Sequence, residues 1–235
     1  MKRIIAYLVF SIIIASTFFT SFAYVVNKSL MEEIQESNPI FINFLSDSKN
    51  SEIKVINSVG KTVNDMNSVF IKKNLVLGNY EEVYNSLKKF NLSLSYETSE
   101  KVENKQNRDN MPMIIDSEVK FNRYYYHLET DNSGMFSKEW LTILSGRYME
   151  NADGTFTALG SPRINVEADF GASFSVNPHS YSTGYQYQDS NQTIVFDGSY
   201  TMKATLVFPV TIGGFTFPIG RTYYWGRTYV SHTVR

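Results

Sequence analysis

The chain has no cysteine among its 235 residues. That absence excludes disulfides, thiolate metal sites, a cysteine nucleophile and a lipidated cysteine anchor, so packing alone must hold the fold. Histidine is scarce too. His127, His179 and His232 are the only three; they have no metal-ligand spacing and read as surface or turn residues. No metal and no cofactor is expected. An excess of either charge is also missing: 22 basic side chains face 23 acidic ones, which leaves no global field to draw the protein to nucleic acid or an anionic bilayer.

Catalytic motifs are equally thin. Ser173 in "FGASFS" lacks the glycine spacing of a nucleophile elbow. "DNSG" from Asp131 and "NADG" from Asn151 stop short of the acidic ligand that a calcium loop requires and read as turns. Glu167 and Asp169 share a strand face and form a carboxylate pair on paper, but a solvated face explains them more simply.

What the chain has in abundance is aromatic side chains, 16 Tyr and 17 Phe, mostly beyond residue 120, which favours strands there. The N-terminus carries Lys2-Arg3 and then an uncharged run from Ile4 to Val26, with small residues at Ser21 and Ala23. Residues 1–23 read as a secretory signal; an uncleaved anchor is the alternative, since about 20 apolar residues span a bilayer. Either way the remainder lies outside the cell, and export without cysteine suggests a bacterial envelope.

Residues 24–96 read as mainly helical. "SLME" from Ser29 fits a capping box and Asn38-Pro39 stops that helix. Ile53, Ile56, Val59, Val63, Met66 and Phe70 recur at helical spacing. A third helix runs from an Asn79 cap to Phe90 with Val83, Leu87 and Phe90 inward. Phe90, Leu92, Leu94 and Tyr96 then alternate as a strand does. The charged stretch 97–111 reads as a linker.

From residue 112 onward the pattern is strand and turn. "KFNRYYYHLE" and "EWLTILSGRYME" have strand composition, "YYYH" reading as half core and half exposed. Asp153-Gly154 makes a turn towards Phe156. Further strands fall near Ile164 to Phe170, Tyr181 to Gln188 and Thr193 to Tyr200, with turns expected at Asn177-Pro178 and Asp197-Gly198. The fold class is therefore α+β: a helical N-terminal region followed by a mainly antiparallel β-sandwich or barrel-like domain over 112–235.

The strongest local signal is "LVFPVTIGGFTFPIG", Leu206 to Gly220. A two-residue turn at Gly213-Gly214 pairs Ile212 with Phe215, Val210 with Phe217 and Pro209 with Pro218. The prolines then fall at a non-hydrogen-bonded pair, where their missing N–H groups would have pointed outward. They block strand addition at both edges. Extending the alternation places Tyr200, Met202, Ala204, Leu206, Phe208, Val210 and Ile212 on one face with Phe215, Phe217, Ile219, Tyr223 and Trp225, which is expected to be a core face. The uncharged span between Lys203 and Arg221 also fits a pore-forming stem, against which the prolines count, because a closed barrel needs both edges paired.

The candidate binding residues are Tyr223, Trp225, Arg227 and Tyr229 in "YYWGRTY", an aromatic platform with a cation for a sugar or peptide if the strand stays regular. The competing reading is that Gly226 marks a bulge that turns Arg227 to solvent and leaves core aromatics.

The second half, through "GSYTMKATLVFPV" and "FTFPIG", resembles uncharacterised secreted β-domain families of Gram-positive bacteria over residues 113–235. Such families imply an exported β fold and lend no catalytic residues. The expected function is a non-enzymatic binding or structural domain at the cell surface or in the medium, with an extracellular ligand or cell-wall component as partner and membrane contact only through the N-terminal segment. An extracellular polymer hydrolase and a membrane-active toxin with an apolar β-hairpin are the alternatives.

Overall fold

The computed structural model describes residues 39–48, 51–103, 117–134, 136–212 and 215–235. The export segment and the helix expected from Ser29 lie outside these residues. Three helices are described, α1 (Pro39–Asp47), α2 (Met66–Leu77) and α3 (Tyr80–Phe90). Nine strands accompany them: β1 (Lys54–Ile56), β2 (Ser93–Glu103), β3 (Ser117–Thr130), β4 (Ser137–Glu150), β5 (Phe156–Ala158), β6 (Arg163–Glu167), β7 (Phe174–Gln188), β8 (Thr193–Ile212) and β9 (Phe215–Val234). All pairing is antiparallel. One sheet runs β1-β2-β3-β4, with β5 and β6 both paired to β4; the other runs β7-β8-β9. The sheets stack as a sandwich and do not close into a barrel.

Strand periodicity explains the layering. Along β3 the even positions Tyr124, Tyr126 and Leu128 pack with the helices, whereas Val119, Phe121 and Tyr125 pack against the second sheet. Over Tyr124 to Leu128 the larger sheet is therefore covered on both faces, and "YYYH" has no fully exposed half: Tyr125, Tyr126 and His127 are buried. On the helix side Phe41 and Phe44 of α1 and Val83 and Leu87 of α3 meet Leu94, Tyr96 and Tyr126. Between the sheets, Phe121, Leu144 and Tyr148 meet Ile194, Phe196 and Val230, while Trp140 and Phe170 meet Tyr200, Met202, Tyr223 and Trp225.

Glu139 fastens the helical layer. Its Oε1 accepts from the Ile40 N–H at the start of α1 (3.2 Å) and its Oε2 from the Tyr126 hydroxyl (2.7 Å). Burial raises its pKa, against the lowering effect of these bonds. Glu139→Ala is expected to cost about 1–3 kcal/mol, because it leaves a buried hydroxyl and a helix N-terminus without an acceptor. Urea unfolding would measure it, with earlier amide exchange in α1 as the local sign.

Several expectations are corrected. Pro39 begins helix α1, since a first-turn residue needs no N–H donor, and the helix it was expected to stop lies outside the described residues. The stretch from Ile53 to Phe70 is not one helix. Lys54–Ile56 pairs with β2, Asn57 Oδ1 accepts from the N–H groups of Val59 and Lys61, and Gly60 adopts φ 75°, so a turn separates β1 from α2. The expected linker is strand as far as Glu103, paired with β3, and its remainder lies outside the described residues. Asn177-Pro178 and Asp197-Gly198 lie within β7 and β8 instead of in turns. Pro178 is tolerated because β7 is an edge strand. Gly198 is needed for close approach, since a Cβ there would lie 2.4 Å from Ile164 Cδ1. Helix α3 forms where expected, although Asn79 makes no side-chain cap bond and Phe90 is partly exposed. The turn at Asp153-Gly154 also forms, with Asn151 N–H donating to Thr155 C=O (2.9 Å).

Candidate functional site

The β8–β9 hairpin has the expected register. Ile212 lies opposite Phe215, Val210 opposite Phe217 and Pro209 opposite Pro218. The glycines between the arms, and the side chains of Ile212, Phe217 and Pro218, lie outside the described residues. The core face holds only for the lower part of the hairpin, where Tyr200, Met202, Ala204, Leu206, Tyr223 and Trp225 are buried. Above that level the expectation fails: Phe208 is 51% exposed, Ile219 53% and Phe215 72%. The reason is where the neighbours end. The last β7 residue paired with β8 is Phe174, opposite Leu206, so beyond Leu206 the arms continue as a two-stranded projection.

The backbone of this projection follows the parity deduced from the prolines. Val207 sends its N–H outward to Ser173 C=O (3.0 Å), so positions two residues further along the same strand also point outward. At position 209, and across at 218, that outward donor is absent because the residue is proline. On the face opposite the phenylalanines, the Thr211 and Thr216 hydroxyls bond each other (3.0 Å). A second exposed apolar surface lies on α2, where Met66, Val69 and Val76 face solvent.

The four candidate binding residues do not form one platform. Register shifts between Thr201 and Lys203, so that Met202 faces the two β9 residues Trp225 and Gly226. This bulge reverses the parity of β9. Tyr223 and Trp225 are core residues; Arg227 and Tyr229 lie on the outer face, with both Arg227 Nε and Nη2 donating to Ser199 Oγ (3.0 and 2.8 Å).

Two histidines are interior, contrary to the surface reading. His127 stacks between Tyr125 and Trp140, with Nδ1 3.3 Å from Ser93 Oγ and 3.7 Å from Glu129 Oε1. Burial lowers its pKa to about 3 and raises that of Glu129 to about 7. Tyr200 joins the same interior region, bonding Trp140 Nε1 (2.6 Å) and Thr142 Oγ1 (2.5 Å). His232 packs on Phe121 and Phe196 with Nδ1 3.0 Å from Glu97 Oε2. Burial pushes the Glu97 pKa up, but His232, Arg123 and Lys54 together bring it below the usual value. His179 bonds Thr201 C=O through Nδ1 (2.9 Å). The signal that could have found His127 is its period: it shares the inward parity of Phe121 and Tyr125.

A concavity of about 790 Å3 is an open groove on the helix side of the larger sheet, with no residue of the three described helices in its lining. Glu100, Lys120 and Arg147 form one cross-strand row on its floor, and Asn122 and Ser145 another. Arg147 pairs with Glu118 (3.4 Å). Among the described residues no group of three His, Asp or Glu side chains is arranged to hold a metal. No known protein family, curated protein or solved structure matches the chain.

Proposed function

We propose that the protein is an exported, non-enzymatic binding domain of the cell surface or medium, and that the projecting β8–β9 hairpin is its working part. The observation that supports this reading is the exposure of Phe208, Phe215 and Ile219 on a segment that, among the described residues, no neighbouring strand covers. Exposed apolar residues scattered singly need no explanation, but a contiguous apolar projection does. These side chains add nothing to the core, and they raise the risk of aggregation that the edge prolines reduce.

The test separates binding from stability. Combined replacement of Phe208, Phe215 and Ile219 by serine is expected to leave the unfolding midpoint nearly unchanged, within about 0.5 kcal/mol per exposed site, while releasing the exported protein from the cell surface into the medium. A large loss of stability would assign these residues a packing role instead. Undiminished surface retention would remove the hairpin from the function, and turnover of a chromogenic polymer substrate would favour the hydrolase.

A further inference from the structure

The geometry points to a lipid bilayer surface as the hairpin's partner, with the tip entering one leaflet as a wedge; this rests on the reading of the hairpin as the binding element. A protein partner could take up such a tip in either of two ways, by strand addition or by side-chain burial in a groove. Strand addition needs the outward N–H row. That row is interrupted at Pro209 on one edge and Pro218 on the other. The same substitution that obstructs a strand partner helps entry into hydrocarbon, because each missing N–H is one donor fewer to carry unpaired out of water. The Thr211 and Thr216 hydroxyls bond each other, so one of their two O–H donors is also paired, while the outward N–H groups of these two residues are not.

Dimensions and charge fit a leaflet. From Leu206 to Ile212 the arm spans six rises, about 20 Å at ~3.4 Å each, against a hydrocarbon half-thickness of about 15 Å. No charged residue occurs from Ala204 to Gly220, and the flanking charges are both cationic, Lys203 and Arg221. Arg221 lies opposite Leu206, at the level where the hairpin leaves the body, with its guanidinium 5.3 Å from the Tyr223 ring centroid. That is the level of the headgroups when the tip is inserted, where a cation meets lipid phosphate. A wedge of this kind differs from a pore stem, since its interrupted edges prevent neighbouring hairpins from joining into a closed barrel.

The decisive experiment places a reporter on the tip, so that the apolar N-terminal segment of the full chain cannot imitate the result. Both native tryptophans, Trp140 and Trp225, are fully buried. Phe215→Trp therefore adds a single exposed indole. With vesicles of mixed phosphatidylcholine and phosphatidylglycerol, its emission is expected to shift to the blue and to be quenched by brominated acyl chains. In the otherwise unchanged full chain, Phe208→Asp with Phe215→Asp is expected to weaken vesicle partition about tenfold or more. Emission unchanged by vesicles but blue-shifted with protein concentration would overturn the lipid partner in favour of a second copy, leaving the hairpin a binding element. Emission that stays solvent-like with vesicles, at high protein concentration and on intact cells would overturn both readings. Release of a trapped dye from the vesicles would replace the wedge with a pore.

Discussion

Trp225→Ala is expected to destabilise the protein by about 3–5 kcal/mol, the range for emptying a buried tryptophan site. In a chain of this size that lowers the unfolding midpoint by roughly 10 °C. Three contacts are lost together. The indole ring meets Phe170 at 5.2 Å and Trp140 edge-on at 6.3 Å, and its Nε1–H donates to the Glu129 carbonyl at 3.2 Å, linking the second sheet to the first. Arg227→Ala, two residues along, removes only bonds from an exposed guanidinium to Ser199 and is expected to cost no more than about 1 kcal/mol. A calorimetric comparison of the two variants distinguishes a core residue from a ligand platform. Equal, small losses would mean that the bulge does not bury Trp225 in solution.

The same pair of residues shows how far the sequence could be read. A lone glycine in a strand pattern signals a bulge, and Gly226 carries that meaning locally, so the division between Trp225 and Arg227 was legible as one of two readings. Strand composition also identified β3 and β4, alternation identified both arms of the long hairpin, and the Gly213-Gly214 turn together with the prolines determined its register. Where the hairpin leaves the body was not legible. Phe208 and Leu206 have the same parity and similar hydrophobicity, and only the end of β7 at Phe174, a partner distant in sequence, separates a buried residue from an exposed one.

Misread punctuation has a similar origin. Asp197-Gly198 has turn composition, yet Gly198 serves the approach of Ile164 from the facing sheet, a tertiary requirement that uses the same residue type. The helical spacing from Ile53 to Phe70 was overridden by pairing of Lys54–Ile56 with β2, a contact across some 40 residues of chain. The interior placement of His127 and His232 follows from strand parity and leaves no trace in metal-ligand spacing.

The buried His127–Glu129 pair is expected to give the protein an unusual stability profile in acid. His127 has a folded pKa near 3 against an ordinary value near 6.5, so its contribution is present above pH 6.5 and is lost as pH falls towards 3, on the order of 5 kcal/mol in all. Glu129 has the opposite sign. With a folded pKa near 7 against 4.5, its contribution is complete below pH 4.5 and is lost as pH rises through 7, roughly 3 kcal/mol. Between pH 6.5 and 4.5 the two slopes offset each other; below pH 4.5 only the His127 loss continues. Glu129→Gln removes the offset, so between pH 7 and pH 4.5 this variant is expected to lose about 3 kcal/mol relative to the parent. His127→Phe, which keeps a ring between Tyr125 and Trp140, is expected to gain a similar amount relative to the parent over that interval. Urea unfolding of the three proteins at pH 7, 5.5 and 4.5 gives these differences directly, since all other titrating groups are common to them. Parallel curves would mean that neither side chain is held in its neutral form between the sheets.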